Sequence, residues 1–245
     1  MIKFFRKIRQ NLLSEGRTGK YLKYAFGEII LVVIGILIAL QINDWNQERK
    51  NRIIENKLYH SLISSLESDL EDVNEKINIV GSSLDAQDIL MEYSFDKLER
   101  EFDIQQIEQL VSDLQKCARS FFPNYGFYNK ITSNQQIDLI KSDQLQLKII
   151  ELYEQYYQRY SDVDQSLEKQ AVFSLNTNYF SKIRHLYHDG NWNGLTMDMI
   201  KEHYPILQEE TRKINWLTSS SHFTMRNCKT QIELLIEDIK VEVKR

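Results

Sequence analysis

Few side chains in this chain have a type and spacing that could support chemistry. His185 and His188, followed by Asp189, have the i, i+3 spacing of two helical metal ligands, but the local pattern supplies no third ligand. Histidines that are exposed or held in a turn are the alternative. The chain contains no glycine-rich phosphate loop, nucleophile elbow or HExxH helix. The sequence therefore predicts no catalytic residue, no cofactor and no metal, and a membrane-tethered hydrolase is the least favoured class.

The two cysteines, Cys117 and Cys228, are far apart and do not form a CxxC motif. In an oxidising compartment they could form one disulfide between a middle helix and the carboxy-terminal helix. Two separate thiols are the favoured alternative. No motif brings a cysteine and a histidine together as a nucleophilic pair, so the cysteines give no basis for assigning an activity.

Glu28 is the one charged residue in the apolar stretch of residues 24–42, where a carboxyl group is costly. At about 100° per residue it shares a helical stripe with Gly35, Ala39 and Asn46. Gly35 and Ala39 have the small-xxx-small spacing that allows two helices to approach closely. Glu28, Gly35 and Ala39 are therefore predicted to form a membrane-helix packing face. In the alternatives, Glu28 extends to the lipid headgroups or couples to proton or ion movement.

The stretch itself, YAFGEIILVVIGILIALQI, has the length and composition of a membrane span. It supplies nearly all of the ~20 apolar residues that are needed to cross ~30 Å of hydrocarbon. Tyr21, Tyr24 and Trp45 lie near its two ends, where aromatic rings favour the interface. A buried core helix would explain the uninterrupted run of residues 29–40 alone, but the flanks favour a span. A cleaved signal peptide is disfavoured because no A-x-A-like site follows.

The charges on either side of the span predict its orientation. Seven Lys and Arg but only one acid precede it, whereas Asp, Asn, Gln and Glu follow it before the next basic residue. Basic residues near a span favour the cytoplasm, so the amino terminus should be cytoplasmic and the remainder periplasmic. Residues 1–19 form a predicted amphipathic helix that lies on inner-membrane lipid. Its membrane-surface bases are Lys3, Arg6, Lys7 and Arg9.

The first fifty residues resemble those of a known family. The resemblance is carried by the basic start MIKFFRKIRQ, the segment from Lys20 to Ile30, and LVVIGILIALQIN followed by a Trp-Asn pair. In this order the chain is similar to a family of single-span membrane proteins of unknown function from the Bacteroidota. The resemblance is specific over about residues 1–50 and diffuse beyond them. It implies a membrane anchor and a variable helical domain, and it carries no activity.

Beyond the span the composition predicts an acidic helical domain. Residues 43–245 hold 24 Lys and Arg and 33 Asp and Glu, which disfavours nucleic acid as a partner. Two prolines and eight glycines in the whole chain favour long helices. A helical apolar stripe recurs every three or four residues, at Leu58, Leu62, Leu66, Leu70, Val73, Ile77, Val80 and Leu84. We expect it to face the inside of one bundle rather than a coiled coil, with a candidate hinge at residues 81–83.

Further helix signals follow along the chain. Asp103 and Gln106 form a predicted capping box, and Ser142 or Asp143 caps the next helix after a loop at residues 121–126. After Pro205 we expect two closing segments, Ile206 to Leu217 and Phe223 to Val243. Tyrosines recur on about one side of the helix after residue 142, and we expect them to form the core of the bundle, with a partner groove as the alternative: Tyr153, Tyr156, Tyr157 and Tyr160.

Together these patterns predict an all-α protein with three parts: a basic cytoplasmic helix (1–19), a transmembrane helix (20–45) and a periplasmic helical bundle (46–245). The predicted function is a non-enzymatic, membrane-anchored envelope protein whose domain binds another envelope protein or itself. The alternative function is a small subunit of an ion-coupled or transport complex that uses Glu28 within the membrane.

Overall fold

The computed structural model describes residues 18–179, 182, 186–188 and 191–244, and this part of the chain is all-α in class. The predicted basic helix with Lys3, Arg6, Lys7 and Arg9 lies outside the described residues, as do His185 and Asp189. The α-helices are α1 (Thr18–Glu92), α2 (Phe95–Glu101), α3 (Ile104–Leu114), α4 (Tyr125–Ser133), α5 (Asp143–Glu151), α6 (Gln158–Ala171) and α7 (Met197–Val243).

Contacts divide the chain into two compact units, residues 1–55 and residues 56–245. In the first unit, the part of α1 from Ala25 onward is long and apolar enough to cross a membrane, and its most apolar window is entirely unburied. The side chains of Ile29 and Leu31 are more than 60% exposed, as expected of a helix whose apolar surface faces lipid or a partner.

The second unit starts at Asn56, and most of residues 46–54 before it are exposed. It contains two apolar clusters. The first joins α1, α4, α5 and α7 around Leu66, Tyr157 and Ile232. The second joins the end of α1 to α2, α3 and α7 around Leu90, Val111 and Leu207.

The predicted stripe of α1 is confirmed as the inside of a bundle within one chain. Five of its eight members are less than 9% exposed, and Leu70 and Ile77 pack against the first cluster. The predicted hinge at residues 81–83 is wrong, because α1 continues through it. Ser83 is fully buried there, donates a hydrogen bond to the carbonyl of Leu114 at 3.3 Å, and accepts one from Gln87 at 3.2 Å. These bonds give the buried Ser83 and Gln87 hydrogen-bond partners without breaking the helix.

The end of α1 is held by α7 rather than by a glycine cap. The hydroxyl of Tyr204 donates to the carbonyls of Leu90 and Tyr93 at 3.2 and 2.9 Å. The amide of Gln208 donates to the same two carbonyls at 3.0 and 2.8 Å. Two side chains of α7 therefore satisfy carbonyls that a helix end leaves without intrahelical partners.

The predicted starts of two helices are confirmed, and one helix was missed. Asp103 and Gln106 form the capping box of α3, and the Ser142 hydroxyl accepts from the backbone N–H of Leu145 at the start of α5. Between them the sequence analysis expected a loop through Gly126, whereas α4 already begins at Tyr125, capped by Asn124.

The two closing segments predicted after Pro205 are wrong, because α7 is one helix with Pro205 inside it. Proline removes one helical hydrogen bond, but its neighbours Tyr204 and Leu207 are almost fully buried and hold the helix in place. Later in α7 the hydroxyl of Thr218 donates to the carbonyl of Ile214 at 3.0 Å. Buried packing thus overrides a local pattern that suggested a break.

Two further features were not expected from the sequence. The helix that starts with α5 contains two π-helical segments, Leu152–Tyr157 and Val172–Tyr179. Between α6 and α7 the chain forms a pair of two-residue antiparallel strands, Tyr187–His188 and Asn191–Trp192. The first π-helical segment contains Tyr153 and Tyr157, two fully buried tyrosines of the core.

Candidate functional site

A buried carboxylate, Asp69, lies at the centre of the most polar part of the core. Asp69 is on α1 and only 3% exposed. Its Oδ2 accepts a hydrogen bond from the hydroxyl of Tyr157 at 2.8 Å, and its Oδ1 accepts one from the backbone N–H of Asn124 at 3.0 Å. Among the described residues it has no basic partner within ion-pair distance. Two neutral donors therefore hold a carboxylate that no opposite charge balances.

Aromatic rings surround this carboxylate. Tyr128 stacks on Tyr153 with ring centres 4.3 Å apart and an angle of 4° between the planes. Tyr157 meets Tyr125, Tyr153 and Phe121 edge to face at 6.0, 5.1 and 5.7 Å. The hydroxyl of Tyr128 donates to Glu154 at 2.9 Å at the edge of the cluster. Ring pairs in these geometries add attraction beyond the area they bury.

The favoured prediction for Tyr153, Tyr156, Tyr157 and Tyr160, a bundle core, is confirmed, and the alternative of an open partner groove is not formed. Tyr153, Tyr157 and Tyr160 are at most 1% exposed, and Tyr156 is half-buried. Tyr153 and Tyr157 lie four residues apart in the π-helical segment Leu152–Tyr157, and both belong to the first apolar cluster with Leu62 and Leu66 of α1. Rings in the core cannot line a surface for a partner.

The carboxylates on α1 and α6 hold the loop between α3 and α4. The backbone N–H of Phe121 donates to the hydroxyl of Tyr160 at 2.7 Å, and the N–H of Phe122 donates to Asp72 at 3.3 Å. Tyr160 in turn hydrogen-bonds to the buried Asp164. With the bond from Asn124 to Asp69, three backbone N–H groups of this loop are bound by side chains.

Burial changes the ionisation of this cluster. Burial raises the pKa of Asp69, although the hydrogen bonds from Tyr157 and Asn124 act in the opposite direction. Burial also raises the pKa of Asp164, opposed by hydrogen bonds from Ser120 and Tyr160. Each folded-state pKa lies above the ordinary aspartate value, so the folded protein binds these protons more readily than the unfolded chain does.

We expect this difference to make the contribution of Asp69 to stability increase as the pH falls. At neutral pH Asp69 is ionised, and the folded state bears the cost of burying its charge. This cost is relieved as the pH falls through the raised pKa towards the ordinary value of 3.8. Urea unfolding of the full chain in detergent, measured for the natural protein and Asp69→Asn between pH 7 and pH 4, isolates this group. The stability difference should shift in favour of the natural protein as the pH falls, and a shift the other way would contradict the assignment.

The cysteines are two separate buried thiols, as the favoured prediction stated. Cys117 belongs to the second apolar cluster and Cys228 to the first, so the two lie in different parts of the core. Burial raises the pKa of each to about 12, which leaves almost no thiolate at neutral pH. Among the described residues, no group of three or more His, Cys, Asp and Glu side chains could hold a metal ion.

The predicted packing face of Glu28, Gly35 and Ala39 is not covered by other described parts of the chain at Gly35 and Ala39. Glu28 is half-buried, Ala39 is exposed, and a Cβ on Gly35 would meet no atom within 4 Å. This arrangement leaves room for a second helix along the stripe. Association through this face remains a prediction.

The model of a family of unknown function, DUF6090, matches residues 28–186, which is more than half of the chain. The chain belongs to the DUF6090 family. No curated protein and no solved structure matches it.

The DUF6090 match revises the range of the resemblance found in the sequence. That resemblance was specific over residues 1–50, whereas the family match starts at Glu28 and covers most of the helical part. It includes Asp69, the loop between α3 and α4, and Tyr157. The polar core is therefore within the DUF6090 region, and the family's description assigns it no activity.

Proposed function

We propose that this DUF6090 protein is a non-enzymatic, membrane-anchored envelope protein. Its second unit, residues 56–245, acts as an interaction or scaffolding module for another envelope protein or a second copy of the chain. The single observation that carries this proposal is the apolar part of α1, which is long and apolar enough to cross a membrane and whose most apolar residues are all unburied. A run of this length and exposure is stable in lipid and costly in water.

The proposed location is the inner membrane of a two-membrane bacterium of the Bacteroidota, with the amino terminus in the cytoplasm. The charge difference across the apolar stretch supports this orientation, because seven bases precede it and an acidic, amide-rich segment follows it. In this orientation the second unit is periplasmic. Its net negative charge keeps it away from anionic headgroups.

The core of the second unit supports a binding role rather than catalysis. Its acids and tyrosines are used to hold one another and the loop between α3 and α4, as the bonds of Asp69 and Tyr160 illustrate. Its raised pKa values have a structural explanation in burial. A rigid helical unit on a membrane anchor is suited to presenting a surface to a partner.

The anchor is tested with a double variant, Val33→Arg with Leu37→Arg. Each arginine at the centre of a spanning helix costs about 2.5–3.5 kcal/mol, so the variant should fail to integrate. We expect the natural chain to remain in the membrane pellet after alkaline carbonate extraction and the variant to move largely to the supernatant.

A matched control places two arginines in the second unit, at the exposed Trp216 and Phe223, and should stay in the pellet. A phosphatase that is active only in the periplasm, fused after Arg245, should be active in the natural chain. The proposal would be contradicted if the natural chain were found in the supernatant. It would also be contradicted if the phosphatase fusion were inactive while a reporter that works only in the cytosol was active at the same position.

A further inference from the structure

We infer that a layer of buried polar side chains divides the second unit into two halves, and that the half built on the second apolar cluster opens while the half built on the first stays folded. This polar layer consists of Ser83 and Gln87 on α1, Asp164 on α6, and Thr218 and Ser221 on α7, all of them buried. The inference concerns packing inside the second unit and goes beyond the proposed interaction role.

The two apolar clusters stop on either side of the polar layer. On α1 the last buried member of the first cluster is Val80, and the next buried member of a cluster is Leu90 of the second. On α7 the second cluster ends at Ile214 and the first begins at Met225. The buried residues between these limits are Ser83, Ala86, Gln87, Thr218, Ser221 and Thr224. All but the alanine are polar, and no described residue belongs to both clusters.

Hydrogen bonds hold the polar layer together across the bundle. The Gln87 amide donates to the hydroxyls of Ser83 and Thr218 at 3.2 and 3.3 Å, and its Oε1 accepts from the amide of Asn215 at 3.2 Å. Water can replace bonds of this kind when the layer is opened, so their net contribution to stability is small. Separating the two halves at the layer therefore costs less than a cut through either apolar cluster, where buried hydrocarbon would be exposed.

The path of the chain allows the second-cluster half to open alone. Its buried members come from two stretches of the chain, residues 90–117 and 171–214. Opening would fray only the last part of α1, which ends at Glu92, and the first part of α7, which begins at Met197. Helix ends separate from a fold more readily than helix centres do, so the first-cluster half keeps its own parts of both helices.

The closed form of the second-cluster half has specific bonds of its own. Tyr204 and Gln208 of α7 donate to the carbonyl of Tyr93 at 2.9 and 2.8 Å, and opening breaks both bonds. The open form is therefore a minor population of the folded protein. A partner that bound only one of the two forms would shift the balance between them without unfolding the first-cluster half.

Hydrogen exchange of the full chain in detergent, followed by mass spectrometry, tests the inference. Relative to their intrinsic rates, peptides from residues 104–114 and 206–214 should exchange about a hundredfold faster than peptides from residues 62–80 and 225–239. The first two peptides belong to the second-cluster half and exchange through its own opening. The other two belong to the first-cluster half and exchange only when the whole unit unfolds.

Ile232→Val separates these two routes, because Ile232 is fully buried in the first cluster. Loss of one methylene group should raise exchange in the first-cluster peptides about three- to tenfold by favouring unfolding of the whole unit. Exchange in the second-cluster peptides should not change, since the partly open form keeps Ile232 packed. An equal rise in all four peptides, or similar rates in the natural chain, would show that the unit opens as one body and would overturn the inference.

The polar layer itself is tested with the double variant Gln87→Met with Thr218→Val, which joins the two clusters by apolar contacts. The difference in exchange between the halves should shrink to about tenfold or less. Asp88→Met with Ser219→Val, at exposed positions next to the same two residues, is the matched control and should leave the difference unchanged. A difference that persisted in the layer variant would overturn the role of the layer. Neither result bears on the membrane anchor or the proposed interaction role.

Discussion

Replacing Asp69 with alanine is expected to lower the free energy of unfolding by about 2–4 kcal/mol. The change removes the acceptor of the Tyr157 hydroxyl and of the Asn124 N–H, and Tyr157 is fully buried. The buried Tyr157 hydroxyl left unpaired costs about 1–3 kcal/mol, the loss of the part-buried Asn124 bond adds to this, and relief of an unbalanced buried charge offsets part of the loss. Urea unfolding of the full chain in detergent, followed by circular dichroism, measures the effect.

Asp69→Asn is the matched control, because its amide oxygen can still accept from the Asn124 N–H. Asp69→Asn should cost about 1 kcal/mol or less. Hydrogen exchange at the Asn124 N–H should stay slow in Asp69→Asn but become fast in Asp69→Ala. Asp72→Ala serves as a second control, since Asp72 is only half-buried and its bond to the Phe122 N–H is longer, at 3.3 Å. Equal losses in the alanine variants of Asp69 and Asp72 would show that burial of Asp69 has no special role.

Replacing Leu66 with alanine is expected to destabilise the second unit by about 2–5 kcal/mol. Leu66 is fully buried in the first apolar cluster, so truncation removes transfer energy and leaves a cavity between α1 and its neighbours. The midpoint of urea unfolding should fall while the slope with denaturant stays the same, as expected for a loss of core packing.

The matched control for Leu66 is Leu147→Ala, because Leu147 is 66% exposed on α5. The loss for this variant should be within about 0.5 kcal/mol of zero. If the two leucine variants lost similar amounts, the stripe on α1 would not be the core of the bundle. A partner coiled coil, the alternative in the sequence analysis, would then deserve testing by the dependence of stability on protein concentration.

Several elements could be predicted because their signals are local. The stripe from Leu58 to Leu84, the capping box at Asp103 and the cap at Ser142 all follow from spacings of three or four residues. The errors came where distant packing overrides such signals. Pro205 and the small residues at 81–83 suggested breaks, but buried neighbours hold both helices continuous.

The candidate site could be predicted only in part. The tyrosines from Tyr153 to Tyr160 stood out in the sequence, and a core was favoured, but the spacing alone still allowed a partner groove on the same helical face. Asp69 gave no signal, because it is one acid among many in an acidic helix. Its nearest clue is its place three residues after Leu66 and four before Val73, which puts it beside the buried stripe.

The sequence by itself determined the all-α class, the apolar stretch near the amino terminus and the face of α1 that is buried, because these depend on the order of neighbouring residues. Only the tertiary structure decided that Asp69 is buried, that it meets Tyr157 and Asn124, and that Phe122 is left outside. Those contacts join residues that are more than fifty positions apart, so they exist only once the bundle has closed around them.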